Sequence, residues 1–122
     1  MPLVIKNLND LRNEYSILFC DVWGCVHNGI EAFKSADSAL TSFRKSGGTV
    51  VLVTNAPRPA KAVKRQLDRI GLSDGSYDHI VTAGDAALEF IKKNNLGKKI
   101  YHIGPAKDKS FLCLCNKLPK IN

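Results

Sequence analysis

Two short apolar runs, each ending on a polar residue, constrain this chain more than any other feature. The stretch Ser16-Ile-Leu-Phe-Cys-Asp-Val-Trp-Gly-Cys-Val-His-Asn-Gly29 is apolar from Ile17 to Cys20, meets a lone carboxylate at Asp21 and breaks at Gly24 and Gly29. A continuous apolar run of this length, bounded by glycines, predicts a strand over 16–22 buried on both faces, as in parallel sheets. Thr49-Val-Val-Leu-Val-Thr54 is a second such run, rich in β-branched residues. Asp21 then stands at the carboxyl end of its strand, where open α/β sheets form their ligand crevice. A carboxylate is costly to bury there unless a cation, usually a metal ion, offsets the cost. An Asp that merely caps the following turn is the other reading, and the local pattern leaves both open.

The segment between the two runs has helical spacing. Phe33, Ala36, Leu40 and Phe43 recur on one face of a helix over 31–46, which Gly47-Gly48 stops. A strand, helix, strand unit of this size implies a right-handed crossover and parallel pairing, hence an α/β, Rossmann-like sheet with flanking helices. The pattern then repeats. Pro57 and Pro59 stiffen a loop, and a helix over 59–70 follows with Val63, Leu67 and Ile70 inward and Arg58, Lys61, Lys64 and Arg65 around the rest, ending at Gly71. His79-Ile-Val-Thr82 predicts a third strand, and Thr82 with Asp85 resembles a capping box with Asp in place of Glu. A third helix is expected over 83–95, with Ala87, Leu88 and Ile91 inward and Gly97 as its stop, and Lys99–Gly104 as a fourth strand. Ahead of all this, Leu8, Leu11 and Tyr15 give residues 3–15 an amphipathic character.

Composition narrows the function classes. At 122 residues the chain can bury one core but not two. No window is long and apolar enough to span a membrane, and the amino terminus, with Asp10, is no signal peptide, so the cytoplasm is the expected home. The spacings of Cys20, Cys25, Cys113 and Cys115 match no zinc or redox signature, and free thiols are expected. The net charge of +7 is uneven: residues 1–57 balance, whereas 98–122 set six lysines against Asp108. That basic end lacks the arginine and aromatic interleaving of a single-strand binding surface, so nucleic acid is not an expected partner.

Asp21-Val-Trp-Gly-Cys-Val-His-Asn-Gly29 followed by Val51-Leu-Val-Thr-Asn-Ala-Pro-Arg-Pro59 resembles the first two motifs of the haloacid dehalogenase (HAD) superfamily. The match is best to its class IIA branch, the NagD-like and sugar-phosphatase-like hydrolases, over about residues 14–106. The resemblance implies phosphate-ester hydrolysis through an aspartyl phosphate, with Asp21 as nucleophile and magnesium ligand and the Trp23 backbone carbonyl as a second ligand. Thr54 and Asn55 match the residues that hold the transferring phosphoryl group. It further implies a partial core over 1–82 and a cap-like fragment with a divergent basic tail over 83–122. The expected ligand is a small phosphorylated substrate or free phosphate.

Three departures qualify that implication. The relatives place an acid–base aspartate two residues after the nucleophile, where this chain has Trp23, and an indole neither protonates an alkoxide nor activates water. His27 is a deputy by sequence proximity, though it reads first as a solvated flap side chain. The family's third-motif lysine and fourth-motif acidic ligands have no counterpart: Lys92, Lys93, Lys98 and Lys99 match no motif, and Asp68, Asp74, Asp78, Asp85, Glu89 and Asp108 are sparse and ill-placed. Magnesium is therefore expected to be weakly held, and activity impaired or absent. The residues from Phe111 onward depart from the family pattern, as a truncated or frame-altered tail would. Third, two or three core strands leave apolar surface open, which self-association into a dimer or higher species would cover. The competing expectation is a non-catalytic HAD-derived module that oligomerises or binds phosphate.

Overall fold

The computed structural model describes residue 1 and residues 4–96 and 100–108. Three strands form one parallel sheet: β1 (Ile17–Asp21), β2 (Thr49–Thr54) and β3 (His79–Thr82), in the spatial order β1-β2-β3. Among the described residues three α-helices accompany them: α1 (Lys34–Lys45), α2 (Ala60–Arg69) and α3 (Ala83–Lys93). This is the α/β, Rossmann-like architecture expected. A 3-10 turn at Leu8–Leu11, closed by a reciprocal Asn7–Asp10 capping box, replaces the predicted amphipathic lead-in, and Tyr15 is exposed.

The sheet is not buried on both faces. In β1 the exposed residues are Ile17, Phe19 and Asp21, while Leu18 and Cys20 are half-buried. The parallel register aligns Phe19 with Val51 and Asp21 with Val53, and Val53 with Val81, so Ile17, Phe19, Val53 and Val81 share one open apolar face. Chirality supplies the reason. Two right-handed crossovers that advance in the same direction carry both helices to the same side of the sheet. There Leu40 and Phe43 of α1 and Val63 and Leu67 of α2 pack with Val50 and Leu52 of β2, and Leu18, Cys20 and Ile80 close the cluster. Leu52 and Leu67 are wholly enclosed, a contribution of about 1.5–3 kcal/mol each.

The helix ends follow glycine chemistry, with one exception. Gly47 (φ +92°) follows α1 and Gly71 (φ +87°) follows α2, each in the left-handed region that lets the next amide fold back, Gly48 onto the Phe43 carbonyl and Leu72 onto Leu67. Helix α3 stops earlier than predicted. Asn95 (φ +54°) supplies a left-handed residue after it, and the Leu96 amide returns to the Ile91 carbonyl, while Gly97 lies outside the described residues.

Only half of the Thr82–Asp85 capping box forms. Thr82 Oγ1 accepts the Asp85 amide at 3.0 Å, but the Asp85 carboxylate accepts the Ala60 amide at 2.8 Å. Asp85 thus caps α2, whose own N-cap, Pro59, has no side-chain acceptor to offer. Gly84 lets the two segments approach. A Cβ there would lie 2.7 Å from the Pro57 carbonyl carbon, so α3 begins directly against the β2–α2 loop. No strand forms over 100–104 among the described residues, so the expected fourth strand is absent there; Lys99 and the Phe111–Asn122 tail, with Cys113 and Cys115, lie outside the described residues. Among the described residues no helix is long and apolar enough to cross a membrane.

Candidate functional site

The carboxyl ends of β1 and β2 adjoin through the Asp21–Val53 pair, one residue before Thr54. After Asp21 the chain makes a compact turn. The Val26 amide donates to the Val22 carbonyl at 2.9 Å and the Gly24 amide to the His27 carbonyl at 2.8 Å, with Gly24 at φ +81°. The turn is anchored below by Val22 and Val26, both buried, and beyond it Ala32 donates to the Ile70 carbonyl. A cavity of about 140 Å³ lies beside this turn, lined by Trp23, His27, Thr54, Asn55, Arg58 and their neighbours.

Of the residues singled out from sequence, the cavity gathers Trp23, His27, Thr54 and Asn55. Thr54 is buried and its Oγ1 accepts the Ala56 amide at 3.2 Å, while Asn55 is exposed. Asp21 does not line the cavity and is exposed, so the desolvation cost argued for a buried carboxylate does not arise. Alternation along a strand explains the separation. Asp21 shares the parity of Phe19 and projects toward the open face, whereas Thr54 shares the parity of Leu52 on the packed face. The carboxyl edge of the sheet is the one place where both side chains can reach a common ligand. Trp23 is 67% exposed, its indole Nε1 next to Gly29.

His27 is not a solvated flap residue. It is only 3% exposed, and its Nδ1 accepts the Gly29 amide at 2.8 Å. Burial pushes its pKa below the ordinary imidazole value of 6.5. Accepting at Nδ1 leaves the proton of the neutral ring on Nε2, so the side chain is a positioned donor rather than a free acid or base. A histidine amid glycines and polar residues carries no periodic signal of burial, and only the folded turn reveals it.

The acidic residues weighed as metal ligands mostly have other employment. Asp68 and Asp74 both hold Lys64, at 2.8 and 2.6 Å. Asp78 accepts the Val50 amide at 2.7 Å and pairs with Arg44 at 2.6 Å, which holds its carboxyl below the ordinary carboxylate range. Asp85 caps α2, and Asp108, buried, lies 3.9 Å from Arg58 Nε. Among the described residues no group of three or more His, Cys, Asp or Glu side chains could hold a metal ion. Of the cysteines described, Cys20 and Cys25 are free, and the Cys20 thiol is pushed up to about 11, chiefly by burial.

The family model for haloacid dehalogenase-like hydrolases matches residues 18–116, most of the chain. The chain belongs to the haloacid dehalogenase-like hydrolase family. The fold agrees. A solved haloacid dehalogenase-like hydrolase from Brucella suis 1330 superposes with a TM-score of 0.82 at 39% sequence identity over 88% of this chain. The chain spans 39% of that hydrolase's length. No match was found among curated proteins.

Proposed function

We propose that this HAD-family chain carries the nucleophile and phosphoryl-binding part of a class IIA phosphohydrolase site acting on a small phosphate ester. In this reading an Asp21 carboxylate oxygen attacks phosphorus, the bond from phosphorus to the ester oxygen breaks, and the leaving alkoxide takes the electron pair. Water then hydrolyses the aspartyl phosphate, which frees inorganic phosphate and restores the carboxylate. Thr54, Asn55 and nearby backbone amides would hold the phosphoryl oxygens. The observation that carries the reading is the register that sets Asp21 beside Val53 and Thr54 at the carboxyl edge of adjacent parallel strands.

The same geometry argues for feeble turnover by this chain alone. Trp23 occupies the acid–base position, and the proton of His27 sits on a buried donor whose pKa is lowered. The missing acid–base contribution is worth ~10²–10⁴-fold. Among the described residues magnesium, implied by the family, finds one carboxylate and a backbone carbonyl, too few donors for a closed site. A non-catalytic phosphate-binding or self-associating module is the second reading, favoured by the exposed Trp23 indole and the open sheet face.

Aryl phosphates with an acidic phenol test the proposal, because such a leaving group departs without a proton donor. Hydrolysis that exceeds the Asp21→Asn background, with alkyl phosphates far slower, is the expected result. Turnover of aryl phosphate indistinguishable from that of Asp21→Asn would leave the non-catalytic reading in its place.

A further inference from the structure

A second and larger concavity, about 590 Å³, adjoins the Thr54 cavity, and Arg58 and Gln66 line both. Among the described residues its charged lining is wholly cationic: Arg58, Arg65, Arg69 and Lys107, without an acidic side chain. Arg65 and Arg69 stand one turn apart on α2, a like-charge pair that opposes the helix. Arg58 is held in place by Gln66 Oε1 at 2.6 Å, with Asp108 behind it at 3.9 Å.

The other three cations contrast with their neighbours. Lys64, adjacent to Arg65 on the same helix, bridges Asp68 and Asp74, and Arg44 pairs with Asp78. The side chains of Arg65, Arg69 and Lys107 make no hydrogen bond or ion pair with any described residue. The chain therefore spends its local carboxylates elsewhere and, among the described residues, leaves Arg65, Arg69 and Lys107 of this concavity without a protein counter-ion.

We propose that this cleft binds a small ligand bearing two or more clustered oxyanion groups, an oligophosphate or a polycarboxylate. Guanidinium groups present planar pairs of donors that fit such oxygens bidentately. The volume falls within the ~300–1,000 Å³ of small-molecule sites. A nucleic-acid strand fits less well, since the lining holds no aromatic side chain on which a base could stack. Asp21 does not line the cleft, so the proposal stands whether or not the chain hydrolyses phosphate esters.

Calorimetric titration of the full chain with tripolyphosphate, citrate and orthophosphate tests it. Tripolyphosphate or citrate should bind at least tenfold more tightly than orthophosphate, and the tighter of the two names the ligand class. Arg65→Gln/Arg69→Gln, which keeps helix-forming side chains of similar length, should weaken that binding at least tenfold, and Lys107→Gln should weaken it without touching α2. Asp21→Asn should leave it unchanged. A control that removes two charges outside the cleft, Lys45→Gln/Lys61→Gln, should also leave it unchanged. An equal loss in that control, no preference over orthophosphate, or tighter binding of a short single-stranded oligonucleotide than of tripolyphosphate would each overturn the proposal.

Discussion

The two faces of the sheet are built from nearly the same residue types and meet opposite fates. On one face Val50, Leu52 and Leu18 lie against α1 and α2 in a closed cluster. On the other Ile17, Phe19, Val53 and Val81 are exposed, Phe19 by 72%. Nothing in the side chains distinguishes them. The difference comes from the hand of the crossovers, which places α1 and α2 on one side and leaves most apolar β-residues on the other exposed, although Val51, in register with Phe19, is buried there. Burial here is a property of topology, and residue type only permits it.

That contrast can be broken most severely at Leu52. Leu52→Ala should cost about 2–5 kcal/mol, read as a fall in the urea midpoint, because it opens a cavity in an enclosed site. Phe19→Ser, a larger change in the neighbouring strand, should stay within about 0.5 kcal/mol on the same measurement. Equal losses at the two positions would show that the open face is covered in solution.

The strut beneath the packed face is Asp78, which ties β2 to α1 through the Val50 amide and Arg44. Asp78→Ala should cost about 1–3 kcal/mol by leaving that amide unpaired. Its lowered carboxyl pKa means that the stabilisation is full above the ordinary value of 3.8 and is lost as pH falls through the folded value. A chemical-denaturation series in pH should therefore show a flatter acid limb for Asp78→Asn than for the parent chain.

His27 gives a milder dependence at higher pH. Because burial lowers its pKa, the unfolded chain binds the proton more readily, so stability should decline as pH drops below 6.5. His27→Asn, which keeps an acceptor for the Gly29 amide, should remove the decline, and stability curves at pH 7 and 5.5 would show it.

The smallest effect is expected on the open face itself. If copies associate through it, as proposed for so exposed an apolar surface, sedimentation of Phe19→Ser should shift toward monomer. A parent chain that sediments as a monomer at high concentration would remove that reading.

Much of this was legible in the residues. Both runs became parallel strands, the spacing of Phe43, Val63 and Leu67 marked core, and the glycines after α1 and α2 ended helices as read. Asp21, Thr54 and Asn55 were singled out by their motif resemblance, and the structure sets Asp21 and Thr54 at the carboxyl ends of adjacent strands. His27, Asp85 and the α2 arginine cleft were not legible as such. His27 depends on how its own turn closes onto the Gly29 amide, whereas Asp85 and the cleft depend on what a distant segment places nearby: the Ala60 amide, and the loops that carry Gly29 and Lys107 to α2.

Apolar runs, helical spacing and glycine placement thus determined the elements and their parallel order, because those follow from local sterics and short-range burial. Which sheet face is dry, which carboxylates are already engaged and which arginines are left uncompensated were decided only by the tertiary structure, since each is a question of what stands opposite a side chain rather than what the side chain is.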